Sequence, residues 1–462
     1  MNTILWFQKD LRLEDNPALN LACQSAGVIP LFIVPEDIGS ASKVWLHGAL
    51  KKLTNDLEKT GSKLILQEGP AEKFLLEIAQ AHEINSVIWT KTNDPILDAQ
   101  NEKIKKTLES KKISVQMLPG NLLFEPHEIK NLQNSPFKVF TAFYHACLKK
   151  LKDYQPQVAP QKIPAPKRWP KSVDLDQLKL LPQIKWHKEM IDFWSIENLD
   201  TKKTIKNFIE ETLSDYSKNR DIPSIRGTSL VSPFLVWGQI SVKHFYHFLN
   251  QFPQSAPYQR QLIWREFAYH LLNHFPESTK EPMNFKFKNF PWEDKKQHRL
   301  LKAWQKGLTG YPLVDAGMRQ LWQTGWMHNR VRMVVASFLT KDLFISWQTG
   351  ARWFMDTLVD ADLANNTMGW QWVAGCGVDA APYFRIFNPI TQSEKFDPEG
   401  AYIKKYVPEL KNLPIEYIHA PWLAPADILE KAGVILGKNY PLPLVNHSDA
   451  RQKALALYHS LK

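Results

Sequence analysis

Five short apolar runs near the start of the chain constrain its fold more than any other feature. They are Ile4-Leu5-Trp6-Phe7, Val28-Ile29-Pro30-Leu31-Phe32-Ile33-Val34, Lys63-Leu64-Ile65-Leu66, Ser86-Val87-Ile88-Trp89 and Ile113-Ser114-Val115-Gln116-Met117. Each has the length of a buried strand, and residues 44–59, 71–82 and 96–111 carry the apolar spacing of helices. Strand–helix alternation of this kind predicts a parallel sheet covered on both faces, a Rossmann-like α/β domain over residues 1–127. No G-x-G-x-x-G or Walker loop follows the first strand, which argues against a standard dinucleotide or nucleoside triphosphate site there.

The pattern then breaks. Pro156, Pro160, Pro164, Pro166, Pro170 and Pro182 crowd residues 128–195 among lysines and glutamines, as in a connector that runs over the surface. Within it, Lys138-Val139-Phe140-Thr141-Ala142-Phe143-Tyr144 reads as a packed helix extending to Lys150. Residues 196–462 are almost wholly helical in spacing, with windows at 200–216, 239–251, 257–275, 298–307, 312–325, 328–343 and 347–358. An α/β front and an all-α back make a two-domain architecture, for which 462 residues suffice.

Charge and composition bear on the partner. A formal charge of +11 suits a polyanion such as nucleic acid, and it equally suits a lysine-rich solvated surface. Seventeen tryptophans exceed what core filling asks of that residue, and stacking on bases or on a flat cofactor would use them. Three distant cysteines, Cys23, Cys147 and Cys376, argue against a disulfide framework and a cysteine metal site, and they suit a reducing cytoplasm. The N-terminus meets charge at Lys9 and Asp10, too early for a signal peptide, and no later apolar run reaches membrane-spanning length.

Several clusters could carry chemistry. Gly227-Thr228-Ser229-Leu230-Val231-Ser232-Pro233 suits a phosphate loop, or a helix start with Ser232 as N-cap and Pro233 at N1. Gln261, Trp264 and Arg265 share one helix face, a plane, a cation and an amide that could address a base. Asn329 and Met333 lie one turn apart. Asp360-Ala361-Asp362 could be part of a metal site, but no histidine or third carboxylate completes it; hydrogen bonding to an N–H-rich cofactor edge is the other reading. Trp370 and Trp372 share a side only on an extended backbone. No H-E-x-x-H, G-x-S-x-G or C-x-x-C occurs, so an enzyme of this sequence needs a cofactor for its hard chemistry.

Taken together, the chain resembles the photolyase/cryptochrome family over nearly its whole length, closest to bacterial class I-like cyclobutane pyrimidine dimer photolyases. The resemblance rests on Thr309-Gly310-Tyr311-Pro312-Leu313-Val314-Asp315-Ala316-Gly317-Met318-Arg319 and on Asn329-Arg330-Val331-Arg332-Met333 through Lys341 to Trp347-Gln348. Residues 360–372 and Ala381-Pro382-Tyr383-Phe384-Arg385-Ile386-Phe387-Asn388-Pro389 extend it. It implies an N-terminal α/β antenna domain and an all-α C-terminal domain holding FAD, with a second antenna chromophore, folate (MTHF) or deazaflavin. Tyr216, Thr228, Ser229, Leu230, Val231 and Ser232 would hold the flavin phosphates. Asp360 and Asp362, with Ala361 between them, would bind the flavin and ribose edges; Arg332 would pair with Asp360, and Asn366 would face flavin N5. Trp292, Trp347 and Trp370 would form the electron-transfer chain.

The same resemblance implies repair of pyrimidine dimers in DNA by an electron from light-excited FADH⁻, on a lesion flipped out of the duplex. Trp264 would stack on the flipped bases, Asn329 and Met333 would line the pocket, and Arg220, Arg265, Arg330 and Gln392 would contact DNA. Gln261 departs from the family pattern: it stands where dimer photolyases place a glutamate, and glutamine is seen in 6-4 photolyases and in some other bacterial members. The 6-4 photolyases, however, carry histidines where Asn329 and Met333 stand. A 6-4 photolyase or a cryptochrome-type blue-light photoreceptor is therefore the alternative. The resemblance further implies a cytoplasmic monomer, on the nucleoid when bound to damage, without metal.

Overall fold

A computed structural model describes residues 1–293, 298–379 and 384–461. The five apolar runs form β1 (Asn2–Phe7), β2 (Gly27–Val34), β3 (Ile65–Glu68), β4 (Ile84–Thr90) and β5 (Ser114–Leu118), all parallel in the order β3-β2-β1-β4-β5. The third begins two residues later than its apolar run begins. β2 is buried along its whole length, whereas β5 at the edge is partly exposed, which matches their sequences. The helices Ser40–Glu58, Ala71–Ala81 and Pro95–Ser110 cover the sheet's connections where helical spacing predicts them.

The turn after β1, where a dinucleotide loop would sit, is filled by a buried polar knot. Asp10 accepts from Thr90 Oγ1 at 2.7 Å and the Gln8 N–H at 2.9 Å, and burial pushes its carboxyl up against those bonds. Arg12 donates to the carbonyls of Asp15, Gly120 and Gly238. Gly238 has φ 62, and a Cβ there would collide with the Lys9 carbonyl. Close by in sequence, Gln239 Oε1 accepts from the buried Trp45 Nε1 at 2.9 Å.

The connector contains the helix Phe140–Lys150. Its proline-rich part is tied to the sheet: the Pro164 carbonyl accepts from Val28, Ser172 Oγ from Leu66, and the Leu66 carbonyl from Val173. Beyond it the chain is helical. The main elements are Thr201–Glu211, Val242–Phe248, Ala256–His274, His298–Gln305, Pro312–Thr324, Asn329–Ser337, Trp347–Thr357, Leu363–Ala374 and His447–Ser460. The window 328–343 divides, its second part being a π-helical stretch, Phe338–Asp342.

Two compact units divide the molecule. The first holds Met1–Leu213, Ser229–Pro276 and Val359–Ala364; the second holds Ser214–Thr228, Glu277–Leu358 and Asn365–Lys462. The first unit thus joins the sheet with helices that follow residue 195 in sequence. No described helix is long and apolar enough to cross a membrane.

Candidate functional site

In the first unit, the loop before the short helix Ser232–Val236 has an unusual backbone. Leu230 has φ 55, a rare left-handed conformation for a bulky residue, and Val231 follows at φ −90, ψ −4. Left- and right-handed residues in succession shape a concave backbone that suits an anion, although the Val231 N–H itself donates to Ser229 Oγ at 3.3 Å. Ser229 is buried and shares a hydrogen bond with Tyr258 Oη at 2.8 Å. Ser232 corrects the capping expectation. Val231 is the N-cap, and the Ser232 hydroxyl donates to Asp360 Oδ2 at 2.7 Å instead.

Asp362, two residues on, accepts from Tyr269 Oη. Burial, and then the Asp362 carboxylate, push the Tyr269 phenol well above its ordinary value, so it stays a donor. Tyr269 lies one turn after Arg265 on the 256–274 helix, and the i, i+4 spacing was the available signal for it. Two carboxylates beside an anion-accepting loop fit a ligand that carries both a phosphate and N–H or O–H donors. FAD is such a molecule.

The 256–274 helix places Gln261, Trp264 and Arg265 as spacing predicts, with different fates. Gln261 Nε2 donates to the Pro257 carbonyl at 3.3 Å. Trp264 stays half-buried, its indole flat against Phe140 with centroids 3.5 Å apart and 7° between planes. Arg265 is only 8% exposed; it donates to the Asn121 carbonyl at 3.0 Å and to Glu266 at 3.2 Å, with its guanidinium over Tyr269. The expected DNA contact of Arg265 therefore does not fit its burial. Glu266 also accepts from the N–H groups of Leu123 and Phe124, and burial raises its carboxyl to about 7 against the pull of Arg265.

In the second unit, Trp370 lies within a helix, so Trp372 points away from it. Trp370 is buried, edge-on to Phe354 at 5.0 Å and to Trp304 at 6.3 Å, and a Cβ on Gly350 would fall on its six-membered ring. Trp304, absent from the sequence-derived set, has no spacing signal that singles it out. Trp347 is buried, and Trp292 is half-buried against Phe290 at 4.3 Å. Asn366 Nδ2 donates to the Ala351 carbonyl at 3.0 Å, which fixes its amide. Arg332 Nε donates to the Met327 carbonyl at 2.7 Å. Thr228 is half-buried, and Tyr216 is buried, its phenol pushed up to about 12 by burial, with Arg220 beside its ring.

His328 caps the 329–337 helix: its Nδ1 accepts from the Arg330 N–H at 3.2 Å, and burial lowers its pKa to about 4, which keeps it a neutral acceptor. That cap fixes the start of the helix carrying Asn329, which is exposed, and Met333. Arg330 pairs with Asp221 at 2.9 Å and lies over Phe396 at 4.3 Å. Arg330 and Gln392 line one cleft of about 940 Å³ with Arg385, Lys395, Arg451 and Phe396. Cations interleaved with aromatic rings in a groove suit a nucleic-acid strand. Of the motif around Pro389, residues Ala381, Pro382 and Tyr383 lie outside the described residues.

Residues 3–167 match the DNA photolyase family, and residues 258–460 match the FAD binding domain of DNA photolyase. The chain is 44% identical to a deoxyribodipyrimidine photo-lyase of Agrobacterium fabrum, covering 99% of this chain and 98% of that protein. It is 35% identical to cryptochrome-2 of Arabidopsis thaliana, over 97% of this chain and 77% of the relative. A crystal structure described as a bacterial class III photolyase from Agrobacterium tumefaciens is similar with a TM-score of 0.95 at 44% identity, covering 100% of this chain and 97% of that one. Both family and fold class agree with the sequence reading. The class I-like subdivision meets a relative described as class III.

Proposed function

The chain belongs to the DNA photolyase family, and from that premise we propose that it is a light-driven lyase that splits cyclobutane pyrimidine dimers in DNA. The observation that carries DNA as substrate is the cleft of the second unit, where Arg330, three further cations and the Gln392 amide stand among aromatic rings. Such a groove engages phosphates through its cations and bases through its rings.

Reduced FAD, when bound, supplies the light-excited electron that opens the cyclobutane ring and then recovers it. The chain's own residues bind and orient. The 229–232 loop would receive the pyrophosphate, while Asp360 and Asp362, held by Ser232 and Tyr269, would accept from the cofactor's donor edges. Asn366, anchored on Ala351, would present its amide to the flavin. Trp292, Trp347 and Trp370 would relay the electrons that reduce it. Trp264 stacks on the flipped pair, Asn329 and Met333 line its pocket, and Gln261 offers a neutral amide to it. Arg220, Arg330 and Gln392 contact the strand. An antenna pigment, folate or deazaflavin, belongs to the α/β part, and the protein acts as a cytoplasmic monomer.

The test is repair by purified, flavin-reduced protein of a thymine-dimer oligonucleotide under near-UV or blue light. Restoration of the thymines is expected. Repair of a 6-4 lesion instead would make Gln261 the deciding residue. Repair of neither would favour the second reading, a blue-light photoreceptor, which the likeness to cryptochrome-2 supports.

A further inference from the structure

We propose that Phe140 is a positioning residue that holds the Trp264 indole plane ready for a stacked pyrimidine pair. The inference rests on the reading of Trp264 given above, and it begins with an anomaly of geometry. Ring centroids 3.5 Å apart at 7° leave no lateral offset, so Phe140 and Trp264 form a full face-to-face sandwich. Isolated aromatic pairs prefer offset or edge-on contacts, because two like quadrupoles repel when eclipsed.

The surroundings hold the pair in that arrangement. Phe267 stands edge-on to both rings, at 5.8 Å from Phe140 and 5.9 Å from Trp264. The Arg260 guanidinium lies 5.0 Å from the Phe140 centroid and 4.7 Å from that of Tyr144. With one face of Phe140 taken by the indole, the cation addresses the other face and draws ring density toward itself. That polarisation relieves the repulsion toward the electron-rich indole. Arg260 and Trp264 are four residues apart on one helix, so cation and indole clasp Phe140 from the same side of that helix.

Phe140 itself is 1% exposed, whereas Trp264 remains half-buried. The buried ring is a fixed backing and the indole is the working surface. A ligand ring that stacks on the indole extends a pile already built, and it need not freeze a mobile side chain on arrival. Immobilising such a side chain costs enough on binding that removing the backing lowers lesion affinity about tenfold.

The experiment uses Phe140→Leu, with Phe140→Met as a second variant of similar volume should leucine impair folding, and Phe140→Tyr as the conservative control. Hydroxyl-radical oxidation of Trp264, read by peptide mass spectrometry without DNA, rises in the leucine and methionine variants and returns to the parental level with tyrosine. Affinity for a dimer-containing oligonucleotide falls about tenfold, with flavin content and affinity for undamaged DNA unchanged. In a Trp264→Ala background the same substitution costs nothing further. Unchanged Trp264 oxidation, or losses that add in the double variant, would overturn the proposal. Should the parent protein fail to prefer dimer-containing DNA, the proposed substrate falls, and the oxidation readout still decides whether Phe140 positions the indole.

Discussion

Trp264 and Trp370 are chemically identical side chains that their two units pack in opposite ways. Trp264 has a flat partner on one face and keeps part of its indole accessible. Trp370 is 2% exposed, met by edges of Trp304 and Phe354, with Gly350 closing the remaining space. A half-open plane is built to receive another plane. A ring enclosed by edges receives nothing, but it is fixed and dry, as a relay for electrons must be. Composition counts both residues among seventeen tryptophans; only their packing separates the surface proposed to bind from the ring proposed to relay electrons.

The division is open to direct attack. The largest effect is expected from Trp370→Phe, which abolishes light-driven flavin reduction while lesion affinity in the dark stays unchanged; flavin absorbance under illumination and a binding titration read the two. Parallel loss of both would erase the distinction. Trp264→Ala should do the reverse and cost about 1–3 kcal/mol of lesion affinity per stacked base, with flavin content intact. Gly350→Ala forces a methyl into the Trp370 ring and should lower stability by about 1–3 kcal/mol, seen as an earlier urea midpoint, together with slower photoreduction. No change in either would mean the enclosure is loose.

The smallest effect concerns pH and differs in sign between the units. Glu266, two residues after Trp264, has its carboxyl raised by burial to about 7. It holds its proton better in the fold than in the unfolded chain, so its contribution to stability is complete below the ordinary carboxylate range and is lost as pH rises through about 7. Lys341, in the second unit, donates to the Arg385 carbonyl and has its pKa lowered by burial to about 7. Here the unfolded chain binds the proton better, so stability grows as pH rises from about 7 toward the ordinary lysine value. Urea midpoints across neutral pH should lose the decline in Glu266→Gln and lose the rise in Lys341→Met.

The strands were readable because each is a continuous apolar run, and β1 and β2 need no tertiary information to be called buried. Their order was not readable, since every run looks alike to its neighbours. Helical spacing placed Gln261, Trp264 and Arg265 on one face correctly, but periodicity cannot say that the carbonyl of Asn121 reaches Arg265 from a remote loop. Ser232 carried the local signature of a cap, and a tertiary partner, Asp360, outbid the local one. Phe140 escaped notice because a stacking partner distant in sequence leaves no periodic trace. The family signature around Asp315 turns out to be architectural: that carboxylate accepts from Thr309, Gly310 and Tyr440 and is wholly buried.

The Arg12 knot has a consequence for how the protein is made. Synthesis proceeds from the N-terminus, so the sheet emerges from the ribosome long before its later partners. Until residue 238 appears, Arg12 lacks one of its three carbonyl acceptors and Trp45 lacks the Gln239 amide. The first unit is complete only when Val359–Ala364 has been translated. A nascent chain of this kind carries an unfinished, partly apolar sheet domain through most of its elongation, a state prone to association with other unfinished chains. Fast elongation from residue 238 to 364 would shorten that interval, and a translational pause between residues 195 and 238 would lengthen it.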